Sequence, residues 1–111
     1  MAPEVIKSEI FVAQEVLPKH GFTDILLTRP ISNYFPFDIL ARKNGKLCGI
    51  EVTMRPEYKL DPRKKTLIRY LSLRPFVCFV KPDFTWYFLK EISGNHVSAE
   101  GVFMEYMRRR T

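Results

Sequence analysis

The stretch FDILARKNGKLCGIEVTM, residues 37–54, limits what this chain can fold into more than any other segment. Two runs of strand-forming residues flank Asn44-Gly45, the pair favoured in a two-residue type I′ hairpin turn. Such a turn fixes the register. Counting outward from it, Lys43 faces Lys46 and Asp38 faces Glu51. Alternation along each strand puts both acids on one face, with Leu40, Gly49 and Thr53. The acids fall at a non-hydrogen-bonded position, where facing Cα atoms approach to about 4.5 Å. Like charges this close destabilise a sheet, and burial adds to the cost. Either one carboxyl keeps a proton or a cation neutralises the pair. Mg2+ suits such a site, because it takes one or two carboxylates and completes its shell with water and phosphate oxygens. A nearby Arg or Lys would serve without a metal, as would solvent on an open sheet face. The hairpin alone does not choose among these.

A second misplaced acid lies upstream. Residues 4–17 read as a helix, ended near Pro18 and the KHG turn. On a wheel at about 100° per residue, Val5, Ile6, Ile10, Val12, Ala13, Val16 and Leu17 form one apolar arc. Glu9 falls near its middle, with Lys7, Ser8, Gln14 and Glu15 outside. A buried Glu needs a backbone or Arg partner, or else shares a pocket with the other acids. A helix at 60–73, with Asp61 as N-cap and Pro62 at the first helical position, repeats the pattern with opposite sign. Its stripe of Leu67, Ile68 and Leu71 contains Lys64. That lysine either snorkels out at the helix end or aims its ammonium at the carboxylates.

The remaining elements read as strands at 22–28, 76–80 and 85–92, a loop at 29–36 and a last helix from 98 to 110. The order is α-β-β-β-α-β-β-α, an α/β chain with a mixed sheet flanked by helices. At 111 residues, 46% hydrophobic, it fits one globular domain spanning 1–111. Cys48 and Cys78 sit in apolar runs without metal-ligand spacing, so buried free thiols are expected and a zinc site is not. The opening MAPEVIKSEIF has no apolar signal core, and no run approaches the roughly 20 residues that span a bilayer. A cytoplasmic protein with no membrane partner is expected. The formal charge of +6 favours a polyanion.

These residues resemble the PD-(D/E)xK nuclease superfamily, whose restriction-endonuclease-like αβββαβ core carries a helical Glu, a strand Asp and then (D/E)xK. Glu9 matches the first, PFD ending at Asp38 the second, and IEVT at 50–53 the third. Within the superfamily the chain looks most like the small archaeal Holliday junction resolvases, through KHGF, LCGIEV, LIRY and TWYFLKEI. The resemblance covers residues 8 to about 92. It implies a Mg2+-dependent DNA endonuclease, Mn2+ substituting, with Asp38, Glu51, the Val52 carbonyl and Glu9 about the metal. One departure stands out: Thr53 occupies the position of the family lysine, and threonine carries no charge. Lysines displaced to the following helix occur in the superfamily, and Lys64 is the geometric choice ahead of Lys59 and Lys65.

Residues 55–74 carry Arg55, Lys59, Arg63, Lys64, Lys65, Arg69 and Arg74 against two acids, Glu57 and Asp61. Together with Arg29 they are candidates for phosphate contact, which would be salt-sensitive; Arg42, Lys43 and Lys46 would extend the patch. The competing account is a solvated helix face. Asn33, Tyr34 and Phe35 are candidates to wedge at a junction, although packing suits Phe35 as well. A small endonuclease that cuts two strands is expected to be a homodimer. Phe103, Tyr106 and Met107 of the last helix offer a face for that or for internal packing. Two other functions stay open: a site-specific nuclease of restriction, homing or repair type, and a nucleic-acid-binding subunit that lost catalysis with its lysine.

Overall fold

The computed structural model describes residues 3–32, 35–99 and 101. Helix α1 runs Pro3–Phe11 and continues into a π-helical turn, Val12–Val16, closed by the Leu17 N–H on the Val12 carbonyl at 2.9 Å. Strands β1 (Thr23–Leu27), β2 (Ile39–Lys43) and β3 (Lys46–Thr53) follow. A short β4 (Glu57–Lys59) precedes α2 (Pro62–Leu71), and β5 (Arg74–Val80), β6 (Tyr87–Glu91) and β7 (His96–Ser98) complete the order.

The hairpin forms as its turn dictates. Asn44 and Gly45 have φ of 53° and 76°, the two positive values of a type I′ turn. The register pairs Lys43 with Lys46 and, at its far end, Ile39 with Ile50. The main sheet has the order β1-β2-β3-β5-β6. Only β3 and β5 are parallel, so the chain must cross over between them, and α2 lies in that connection. The mixed sheet with helices is the expected architecture. Two elements escaped the sequence. Strands β4 and β7, three residues each, form a separate antiparallel pair in which Tyr58 faces Val97. Pieces this short carry no readable alternation, and their partners lie some forty residues apart.

Side-chain alternation sorts the core into two layers. Ile39, Ala41, Cys48, Ile50, Phe76, Cys78 and Val80 meet Val12, Ala13, Val16 and Leu17 of the first helix. Val77 and Phe79 meet Tyr58, Ile92 and Val97 on the other face. Strand β5 is thus covered on both sides, which is why FVCFV is uniformly apolar. Both cysteines are buried and free, and burial pushes the Cys78 thiol up to about 12. Trp86 and Phe88 pack against the second layer and Tyr87 against the first, so the run serves the core.

The π turn corrects the helical wheel. Each residue of a π turn advances through a smaller angle than in an α-helix. The face set by Val12–Leu17 is therefore rotated relative to residues 5–11. Ser8 is buried at 2% exposure, with its hydroxyl on the Val5 carbonyl, whereas Ile6 and Ile10 are exposed. Glu9 stays inside under either geometry.

Gly49 faces Leu40 across the hairpin. A Cβ there would come within 2.8 Å of the Phe37 ring, so only glycine leaves that ring its place. Phe37 is fully buried and immediately precedes Asp38. Most of the expected last helix, including Phe103, Tyr106, Met107 and the arginines of the tail, lies outside the described residues, as do Asn33 and Tyr34.

Candidate active site

The acids gather at the end of the sheet where β1 and β3 stop and β2 begins. Carrying the hairpin register one residue further sets Asp38 opposite Glu51. Thr28, buried just past β1, fixes the entry to β2: its N–H donates to the Asp38 carbonyl at 3.0 Å, and its hydroxyl donates chiefly to the Phe37 carbonyl at 2.5 Å, with the Asp38 carbonyl at 3.1 Å. The Val52 N–H donates to Asp38 Oδ2 at 2.8 Å. The Asp38 carboxyl is pushed up to about 7. Burial is the largest cause, followed by the charge of Glu51 and by a hydrogen bond between the two carboxyls, against the Val52 N–H and Arg29. Near neutral pH the Asp38 carboxyl is therefore partly protonated, one of the two resolutions the hairpin demanded.

Lys64 reaches Glu51 from α2. Its Nζ bonds to Glu51 Oε2, and both side chains are 12% exposed. The ammonium also lies 5.1 Å from the centre of the Tyr58 ring and 3.8 Å from Asp61, the N-cap that accepts the Lys64 N–H at 3.0 Å. The Tyr58 hydroxyl donates to the same Glu51 oxygen at 3.4 Å. Burial first, then the Glu51 charge, drive the phenol far above its usual range, so it remains a donor. The lysine in the apolar stripe does not snorkel away. Thr53 turns to local work, its hydroxyl accepting the Arg55 N–H at 3.1 Å.

Glu9 does not join the pair directly. It is 3% exposed and held by Arg29 in a two-pronged ion pair of 2.6 and 3.3 Å, and the same guanidinium stands 3.7 Å from Asp38 Oδ1. Burial raises the Glu9 carboxyl, Arg29 opposes that, and the Asp38 charge adds to it. Arg29 was expected on the DNA-contacting surface; it belongs to the acid cluster, because a carboxylate this buried requires a cation. Among the described residues, no three His, Cys, Asp or Glu side chains stand close enough together to hold a metal. The cluster is instead three carboxyls interleaved with two protein cations. The two groups nearest to what Mg2+ takes are Asp38 and Glu51, side by side in a cluster whose three acids, when all are ionised, carry one negative charge beyond what Arg29 and Lys64 offset.

A cleft of about 200 Å³ opens over this cluster, lined by Thr28, Arg29, Ser32, Phe35, Pro36, Asp38, Glu51, Arg63 and Lys64. Three cavities are larger: those of about 400 and 440 Å³ have no acid in their walls, and the one of about 310 Å³ has only Glu9, already paired with Arg29, among its described lining residues. Arg55, Lys59, Lys65 and Arg69 are exposed and touch none of the three acids; among the described residues, Arg63 alone of the surface cations lines the cleft. Arg42, Lys43 and Lys46 sit at the hairpin tip, about 13–17 Å along the strands from Asp38, so they do not extend the patch. Arg74 is also removed from it, paired with Glu91 at 2.7 and 2.9 Å. His20 bonds the Tyr87 hydroxyl at 3.2 Å, away from the acids.

No protein-family model matches the sequence, and no curated protein does. Among solved structures, the chain is similar to Hjc of Archaeoglobus fulgidus, a Holliday junction resolvase from an archaeal hyperthermophile. The TM-score is 0.58 at 19% identity, over 87% of this chain and 85% of that one. At that identity the likeness establishes the fold: this chain has the resolvase-type nuclease fold.

Proposed function

We propose that the protein is a divalent-metal-dependent endonuclease acting on DNA, branched DNA before plain duplex. One observation carries the proposal. On a resolvase-type fold, Asp38 and Glu51 stand side by side at the floor of a polar cleft, with the Lys64 ammonium delivered to Glu51 from α2. The Asp38 and Glu51 carboxylates and the Val52 carbonyl would hold Mg2+, or Mn2+ in its place. That ion would polarise a phosphodiester and lower the pKa of the attacking water. Lys64 would place positive charge beside the reacting phosphate. Arg29 neutralises Glu9 and partly offsets Asp38, which limits repulsion of an incoming phosphate. Arg63 at the cleft rim and Arg55, Lys59, Lys65 and Arg69 beyond it would engage the backbone without reading sequence.

A second reading has its own support. Glu9 and Glu51 are both satisfied by protein cations, and Thr53 replaces the family lysine, so a DNA-binding subunit without catalysis would also use this cluster. Incubation with a four-way junction, a plain duplex and a single strand, each with and without Mg2+, separates the two. Mg2+-dependent cleavage with the junction cut fastest is the expected result. Salt-sensitive binding with no cleavage of any DNA in Mg2+ or Mn2+ overturns the nuclease reading.

We also propose a homodimer, on a face other than the one anticipated. Ile6 and Ile10 of α1, Leu26 of the edge strand β1 and Ile31 in the loop after it are exposed, and two grooves meet there at Leu27 and Pro30. Among the described residues, the charges in their walls are Glu9 and Arg29, which cancel. In a chain of net charge +6, this is where two copies approach with least repulsion. Sedimentation equilibrium is expected to give a dimer at micromolar concentration, and Ile31→Asp, at a side chain 71% exposed, a folded monomer. A monomeric wild type, or a dimer indifferent to Ile31→Asp, removes the proposal.

A further inference from the structure

Helix α2 has a flank that the proposed chemistry does not use. Lys64 points inward, with Leu67 and Ile68 half-buried behind it. On a helix of 3.6 residues per turn, Arg63 and Tyr70 are seven positions apart, so they lie about 20° from one another and about 10 Å along the axis. Arg63 lines the cleft with its side chain 74% exposed. Tyr70 is 85% exposed, higher than any other large apolar or aromatic side chain among the described residues. The helix sequence PRKKTLIRYL has four cations and no acid. An aromatic ring held into solvent beside phosphate-binding charges costs the fold hydrophobic exposure without contributing to its core.

The structure assigns Tyr70 as a stacking platform for an unpaired or unstacked DNA base, about three nucleotides from the phosphate that Arg63 engages, at 3.4 Å per nucleotide step. The assignment rests on the nuclease reading and specifies its substrate class. A continuous duplex already stacks both faces of every base on its neighbours and offers this ring nothing. A base at a branch, flap or single-strand boundary has a free face, and stacking on an aromatic ring is tolerant of base identity. A helix with four cations and no acid suits a polyanion better than a second copy of itself.

Binding measured without divalent metal, at low salt, isolates this role from catalysis. The probes are a flapped duplex with 2-aminopurine at its first unpaired position and the same sequence as a continuous duplex. The wild type is expected to bind the flap more tightly and to quench the 2-aminopurine. Tyr70→Ala is expected to weaken flap binding about tenfold and to abolish quenching, while duplex affinity shifts less than twofold. Tyr70→Phe restores both flap affinity and quenching, because the ring and not the hydroxyl carries the contact. Arg69→Ala, by contrast, weakens both DNAs alike. Equal loss on flap and duplex, quenching that survives Tyr70→Ala, or a lower sedimentation mass of DNA-free Tyr70→Ala each overturns the assignment; the last would make Tyr70 a contact between copies. No cleavage is read, so absence of nuclease activity leaves the outcome intact, and an indifferent Tyr70→Ala in a protein that cuts junctions sinks only the stacking.

Discussion

Asp38→Asn is expected to raise the melting temperature of the metal-free protein at pH 8 by about 8–16 °C, and to cut DNA cleavage by about a hundredfold to a thousandfold. The stability gain follows from the carboxyl's displacement from 3.8 to about 7. A carboxyl raised on folding holds a proton that the unfolded chain would release. Its contribution is complete below pH 4 and is lost as the pH rises through 7. Three pKa units correspond to about 4 kcal/mol. The side chain retains 20% exposure, so about half of that, near 2 kcal/mol, is the better expectation, and 1 kcal/mol moves a domain of this size by about 4–8 °C. Asparagine keeps the contacts: its carbonyl accepts the Val52 N–H and its amide donates to Glu51. It removes only the ionisation. Wild type should therefore melt lower at pH 8 than at pH 5, and Asp38→Asn should lose most of that difference. The activity loss follows because an amide holds Mg2+ far less well than a carboxylate. Thermal melts of both proteins at the two pH values, beside a junction-cleavage assay, check both halves. An unchanged pH profile would refute the raised, buried Asp38 carboxyl, and undiminished cleavage would move the active site elsewhere.

That prediction uses the part of the molecule most legible in the sequence. Asn44-Gly45 set the register, and the register set Asp38 against Glu51 before any coordinates, because a hairpin turn leaves the pairing no freedom. Lys64 was legible for a related reason: a cation in an apolar stripe must either leave or be neutralised. Arg29 was not. It lies in a loop, where periodicity says nothing about direction and cations default to solvent. Only the buried Glu9, which had to find a partner, pointed to a cation at all. The π turn was equally hidden, since VAQEV contains nothing that marks an extra residue per turn, and it moved Ser8 inward and Ile6 and Ile10 outward. Metal ligation by Glu9 remains a proposal of a different kind, since in this structure Arg29 occupies both of its oxygens. A metal that recruited Glu9 would have to draw that ion pair apart.

Lys64→Met, which keeps the aliphatic stem and removes the charge, is expected to abolish detectable junction cleavage while leaving DNA affinity within about threefold. It should also destabilise the protein by about 2–3 kcal/mol, since Glu51 at 12% exposure would lose its ammonium partner and keep no cation. The fold loss and the activity loss must be told apart, and Thr53 supplies the means. It lies two residues beyond Glu51 on β3 and so on the same pleat face, where the family pattern has its lysine. If catalysis needs an ammonium beside Glu51 and not one particular helix, Thr53→Lys added to Lys64→Met should return cleavage to within about tenfold of wild type. It should also recover most of the lost melting temperature, because the new ammonium meets the same carboxylate. Full activity in Lys64→Met alone would show that no lysine is needed there. Recovered stability without recovered cleavage would show that Lys64 serves only to neutralise Glu51, and the chain would then be read as a DNA-binding relative of the resolvase fold that has given up its chemistry.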